Sequence, residues 1–269
     1  MTATVQDTAI LEVNEVTKSF GHVDVLRGVS LTARAGEVTA LIGGNGAGKS
    51  TLIRIIAGVL QPDGGAIRFA GEPYAPSSAA DGRALGIETV YQNLALVDEL
   101  TVWQNMFLNR EIVRRLGPVS LLDRKAMARR ATEMLAELQV KIPTVGSRVQ
   151  RLSGGPRQGV AICRATGWGG RFVIMDEPTA ALGVQETERV EQLIRRLRDQ
   201  GKAILLVSHN FDQVLRVCDQ VWVLRQGRIV GGRRASETNG RELVDMITGV
   251  QHSDEELLGH PVDGHGDGG

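Results

Sequence analysis

The chain has 269 residues, 42% apolar but only 4% aromatic, so its core must rest on aliphatic side chains. Lysine plus arginine equals aspartate plus glutamate at 31 each, and this balance removes the simplest argument for a nucleic-acid binder, which ordinarily shows a basic excess or a basic face. No apolar run reaches the length of a membrane span, and the N-terminus lacks a basic stretch followed by an apolar one; the expectation is a cytosolic chain that meets a membrane only through a partner.

Residues 10–17 and 25–34 alternate in polarity and predict an antiparallel sheet with one solvated face. Val38 to Ile42 is apolar throughout, as suits a strand buried on both faces of a parallel sheet, and a helical pattern follows from Leu52 to Ile56. Ile87 to Tyr91 is a further strand. The stretch from about 93 to 165 carries helical patterns and little strand signal, and reads as a helical insertion into the core. Within it Met127, Ala131, Met134, Leu135 and Leu138 mark an amphipathic helix with Asp123 as N-cap. Phe172 to Met175 and Ala203 to Val207 are apolar strands, separated by a helix on which Val190, Leu193, Ile194 and Leu197 share a face and which Gly201 stops. Val221 to Leu224 and Ile229-Val230 form a hairpin around Gln226-Gly227, assigned here with the antiparallel sheet. Residues 251–269 lack periodicity and are expected to form a disordered tail; its His252, His260 and His265 read as solvated rather than metal-binding. Cys163 and Cys218 lack partners at metal-ligand spacing and read as buried thiols. Strands alternating with helices predict an α/β core.

Gly43-Gly44-Asn45-Gly46-Ala47-Gly48-Lys49-Ser50-Thr51 matches G-x-x-x-x-G-K-[ST], with the strand before it and the helix after it that the motif requires. Glycines let the backbone approach phosphate oxygens, and the helix start adds a positive dipole end. Lys49 reaches the β- and γ-phosphates, and the Ser50 hydroxyl meets Mg²⁺. A second acidic group for the metal comes from Asp176, at the end of the strand Phe172 to Met175. Glu177, one residue on, has the chemistry of a general base for an attacking water.

Leu152-Ser153-Gly154-Gly155 lies upstream of that acidic pair, and here the sequence resembles the ATP-binding cassette (ABC) family, whose signature is L-S-G-G-Q. The resemblance runs from about residue 10 to 249 and implies a P-loop NTPase (RecA-like) α/β core, with an antiparallel β subdomain and an inserted α-helical subdomain, within one domain over 1–250. It implies that Phe20 stacks on adenine. Gln92 is implied to contact the metal region and to link ATP to the helical subdomain, and His209 to contact the γ-phosphate. Ser153, Gly154 and Gly155 are implied to touch ATP held by a second copy of the chain, and Ala180-Ala181-Leu182-Gly183 to form the loop between the two sites. Each has a plainer reading: Phe20 as a core aromatic, Gln92 as a strand-end cap, Ser153 as a helix N-cap, His209 as a surface histidine. Their order around two strong motifs favours the functional one.

Two positions depart from the family pattern. Pro156 replaces the usual signature glutamine, and Gly183 stands where many members carry aspartate. The wording of Val90 to Leu96, Thr179 to Val184 and Ser208-His209-Asn210 is similar to the single-cassette ATPases of bacterial simple-sugar importers. That likeness implies a homodimer binding ATP and Mg²⁺ at the cytoplasmic face of the inner membrane. It further implies transmembrane permease subunits, a periplasmic sugar-binding protein, and no nucleic-acid partner. Another transported substrate, export included, is the alternative; a non-transport ABC ATPase is a more distant one. Leu96, Val97, Leu100, Val102, Trp103 and Phe107 are candidates to line the groove that receives the permease, with ordinary core packing the plainer reading for some of them.

Overall fold

The computed structural model describes residues 9–116 and 119–249. Two long antiparallel strands, β1 (Ala9–Phe20) and β2 (Val23–Arg34), precede β3 (Val38–Ile42), which runs into the glycine-rich loop and α1 (Lys49–Ile56). β4 (Gly64–Phe69) and β5 (Glu72–Pro73) lead to α2 (Ala79–Leu85) and β6 (Ile87–Val90). Then come α3 (Val102–Met106), a hairpin of β7 (Val113–Leu116) and β8 (Val119–Leu122), α4 (Arg124–Glu137) and α5 (Gly154–Thr166). The chain continues through β9 (Phe172–Asp176), α6 (Val184–Asp199), β10 (Ala203–Val207), α7 (Phe211–Val217), β11 (Gln220–Arg225), β12 (Arg228–Arg234) and α8 (Gly240–Thr248).

The central sheet has the order β12-β11-β3-β10-β9-β6, with every pair parallel except the β11–β12 hairpin. A second sheet, β2-β1-β4-β5, is antiparallel. The continuous apolar runs now have a physical reason. Along β10, Ile204 and Leu206 face one core, while Ala203, Leu205 and Val207 face another. The first core is filled from α4, α5, α6 and α7; the second from α1 and the antiparallel sheet. Both faces are therefore dry, and each fully buried Leu or Ile contributes about 1.5–3 kcal/mol. Phe172 ties the two sheets together, meeting Phe69 of β4 edge-on at 6.3 Å.

Local signals explain the helix ends. Asp123 caps α4 by accepting from the Ala126 N–H, and Gly201, at φ 82°, follows the last turn of α6. Both cysteines are free and buried, and burial pushes the Cys163 thiol up to about 12. No described helix is long and apolar enough to cross a membrane.

The structure adds to or departs from the sequence-based expectations at four points. The stretch read as carrying helical patterns and little strand signal also contains the β7–β8 hairpin; β-branched Val113 and Val119 flank a Gly-Pro pair, which breaks helices. The β11–β12 hairpin extends the central sheet rather than the antiparallel one, because β11 pairs in parallel with β3. Strands β4 and β5 carry little local signal, because both are short and only Ile67 and Phe69 of β4 are buried. Val102 and Phe107 do not line a groove: both are core residues, and Phe107 packs edge-on against Trp168 at 5.0 Å. The expectation for residues 251–269 lies outside the described residues.

Candidate functional site

The glycine-rich loop leaves β3 at its C-terminal end. A Cβ on Gly43 would lie 2.1 Å from the Leu224 carbonyl oxygen, so β11 can pass this close only over glycine. The turn between β11 and β12 holds the loop from outside, the Gly227 N–H donating to the Ala47 carbonyl at 3.1 Å. Gly48 caps α1 in a left-handed conformation with no side-chain cap, which leaves the first N–H groups of the helix for another acceptor. Lys49 donates to the carbonyls of Gly43 (2.6 Å) and Gly44 (3.0 Å). Burial lowers its pKa, while the Glu177 and Asp176 carboxylates work to raise it. Ser50 is exposed and Thr51 half-buried at the start of α1. Gly44, Asn45, Gly46 and Ala47 border an open cleft of about 420 Å³ shared with Arg225 and Ile247.

Strand register brings the acidic pair to the same edge. Val207 of β10 lies opposite Leu41 of β3 on one side and Asp176 of β9 on the other. Asp176 thus ends its strand level with the loop that follows β3. Burial first, and the neighbouring Glu177 carboxylate second, raise the Asp176 pKa against the opposing pull of Lys49 and Arg54. Glu177 adopts φ 50°, a left-handed conformation rare for a side-chain-bearing residue, and its N–H donates to the Val207 carbonyl at 2.9 Å. Its Oε1 lies 2.9 Å from His209 Nδ1; the glutamate side chain is 16% exposed and the imidazole 75%. Lys49, Asp176, Glu177 and His209 therefore converge from β3, β9 and β10 on one edge, where open parallel sheets bind ligands.

The other candidate residues surround this edge. Gln92 is exposed just after β6, which pairs with β9 so that Val90 lies opposite Met175. Phe20 is 49% exposed, not a core aromatic, and Lys18 Nζ stands 5.7 Å from its ring centroid. It pairs with Val23 at the hairpin end that leads to Val25 and Leu26, the residues lying against Gly48. Ser153 occupies the N-cap position of α5, yet its hydroxyl makes no capping bond; both it and Gly154 are exposed. Pro156 is the third residue of that helix, where an N–H has no intrahelical partner to lose.

Three contacts went unread in the sequence. Glu186, in the first turn of α6, accepts from the Gly155 N–H at 3.3 Å and from the Gly183 N–H at 3.4 Å, so it joins the signature helix to the loop before α6. A Cβ on Gly155 would stand 3.1 Å from Glu186 Cγ, which gives this glycine a reason within its own chain. Glutamate three residues after the N-cap is a capping-box signal, and Glu186 was legible as such. Arg164 on α5 donates to the Leu94 and Ala95 carbonyls at 2.9 and 2.8 Å, tying the segment after Gln92 to the signature helix. Gln213, fully buried in the first turn of α7, bonds both Thr179 and Ser208. No local pattern announces either of these two.

A family model described as ABC transporter matches residues 26–180. The chain is 43% identical over 239 residues to the xylose/arabinose import ATP-binding protein of Sulfolobus acidocaldarius, covering 89% of this chain and 94% of that one. It is 42% identical over 254 residues to the fructose import ATP-binding protein of Rhizobium meliloti, covering 93% and 97%. Among solved structures, cbiO1 from Clostridium perfringens, part of an ABC transporter complex, superposes with a TM-score of 0.75 at 27% identity, covering 88% of this chain and 93% of that one. The ADP conformation of MJ1267, an ATP-binding cassette of an ABC transporter, gives 0.76 at 27% identity, covering 90% and 95%. The chain belongs to the ABC transporter family and is an ATP-hydrolysing cassette of it.

Proposed function

We propose that two copies of this ATPase close head to tail on two molecules of ATP and drive uptake of a simple sugar through partner permease subunits, at the cytoplasmic face of the cell membrane. The observation that carries the catalytic part is the convergence of Lys49, Asp176, Glu177 and His209 on one sheet edge. The sugar assignment rests on relatives named for the import of xylose or arabinose, fructose and ribose. A periplasmic sugar-binding protein belongs to the same reading.

In this reading Lys49 leaves the loop carbonyls for the β- and γ-phosphates, and the N–H groups of Gly44 to Thr51 surround them. Phe20 stacks on adenine. Glu177, aimed by its left-handed backbone, orients and deprotonates the attacking water, while His209 holds the γ-phosphate. The exposed start of α5, at Ser153 and Gly154, offers donors to ATP bound by the other copy, and the buried Gly155, whose N–H goes to Glu186, lets the helix start lie close against α6. Dimeric structures of the MJ0796 cassette share this fold. Arg164 carries movement at Gln92 into the signature helix.

The residues present fit Mg²⁺ arriving with the triphosphate. The donors are hard oxygens, the Ser50 hydroxyl and the Asp176 carboxylate with the Gln92 amide beside them. Mg²⁺ ordinarily keeps several waters and takes one or two protein oxygens with substrate phosphates, so phosphate oxygens and water would complete the shell around this small donor set. Bound there, the ion would neutralise charge developing on the phosphoryl oxygens.

Glu177→Gln is expected to keep ATP binding and lower hydrolysis by about 100-fold or more; undiminished steady-state turnover would remove the general-base role. Asp176→Asn is expected to abolish Mg²⁺-supported hydrolysis while raising the melting temperature of the nucleotide-free chain at neutral pH. The sign follows from the raised pKa: the folded chain binds this proton more tightly than the unfolded one, so the ionised form subtracts stability. The gain should shrink as the pH falls toward the ordinary aspartate pKa of about 4; a lower melting temperature at neutral pH would contradict it. For the transport assignment, the ATPase reconstituted with its permease should be stimulated by a simple sugar and its binding protein. Stimulation only by a non-sugar solute would overturn the substrate.

A further inference from the structure

We propose that Gln213 is a positioning residue for hydrolysis, a buried clamp that fixes the loop carrying Glu177 relative to the loop carrying His209. This rests on the reading above that Glu177 and His209 act together on the nucleotide.

Gln213 is fully buried, and its side-chain Oε1 accepts two hydrogen bonds from two different loops. One comes from Thr179 Oγ1 at 3.1 Å, the other from Ser208 Oγ at 3.0 Å. Thr179 lies two residues after Glu177, and Ser208 immediately precedes His209. A single oxygen therefore sits between the two loops whose tips pair at 2.9 Å. The network closes around His209. The Asn210 N–H donates to Ser208 Oγ at 3.1 Å, and Asn210 Oδ1 in turn accepts from the Gln213 N–H at 3.0 Å.

Two features make this more than packing. Gln213 Nε2 is buried with no hydrogen-bond partner among the described residues. A leucine of similar volume would fill the space without stranding that donor, so the fold tolerates an unpaired N–H to keep the oxygen. Glu177 also holds a left-handed backbone, which persists only where its surroundings enforce it. Its N–H is anchored to Val207, and the Thr179–Gln213 bond anchors the chain on its other side.

The test is steady-state ATP hydrolysis by the full chain. Gln213→Leu is expected to lower kcat at least about tenfold, since small displacements of reacting groups cost that much or more, with KM for ATP within about twofold. Gln213→Glu keeps an acceptor for both hydroxyls and is expected to restore kcat to within about threefold of the parent. Thr179→Val should lower kcat severalfold alone and add little to Gln213→Leu, because both cut the same bond; it reads the clamp even where the leucine variant folds poorly. Parental kcat in Gln213→Leu or Thr179→Val would overturn the proposal, as would an equal loss in Gln213→Glu or a loss shared with ATP affinity. If Glu177→Gln stops turnover while these variants do not, only the clamp is wrong; if Glu177→Gln hydrolyses freely, the Glu177–His209 reading itself falls.

Discussion

The parallel registration of β3, β10 and β9 is the constraint on which the rest of this chain depends. Each of these strands ends in a different reactive segment: the phosphate loop, Ser208-His209 and Asp176-Glu177. Backbone pairing of Leu41 with Val207, and of Val207 with Asp176, sets all three level. A shift of one residue in either pairing would turn the buried side chains to the opposite face and carry the acidic pair away from Lys49. The two cores on either side of the sheet resist that shift, because alternate residues of β10 are committed to different cores. Packing far from the chemistry thus fixes distances within it.

Charge at this edge is arranged for a ligand rather than for the empty chain. Asp176 and Glu177 lie side by side, and crowding together with burial disfavours ionised Asp176. Lys49 opposes this only from a distance while it bonds the loop carbonyls. In the proposed mechanism a triphosphate with its cation would supply what is missing on both counts, drawing the lysine outward and neutralising the aspartate. In the same proposal, the left-handed backbone that holds Glu177 at φ 50° would direct its carboxylate without reorganisation during the reaction.

Much of this was legible in the sequence, for definite reasons. The phosphate loop requires glycine where Leu224 passes, and the three strands are apolar throughout because both their faces are dry. Asp123, Val190, Leu193, Ile194 and Leu197 announce helices by local rules that the structure obeys. The misses share a cause: they depend on what meets across the fold. Which sheet the β11–β12 hairpin joins is decided by β3, some 180 residues earlier in the chain. Which of the groove candidates pack into the core is decided in the same way, as Trp168 covers Phe107. Arg164 and Gln213 carry no local signal, because their partners lie in other loops. Glu186 was readable as a cap, but its bond to Gly155 was not.

In the proposed dimer, the signature helix is where the single chain stops being sufficient. α5 packs on α3, α4, α6 and β6, and its N-terminus ends in an exposed Ser153 whose hydroxyl makes no capping bond. Glu186 and Arg164 hold that helix to the loop before α6 and to the segment after Gln92, so its position responds to both. In the proposed dimer, a phosphate bound at Lys49 in one copy and donors at Ser153 in the other would make a site only when two chains meet. The most direct measurement is the sedimentation of the full chain carrying Glu177→Gln, with and without ATP. A monomer without nucleotide that becomes a dimer at saturating ATP, and loses that response when Ser153 is replaced by arginine, is the expected result. A chain that binds ATP fully yet remains monomeric at every protein concentration would contradict the composite site.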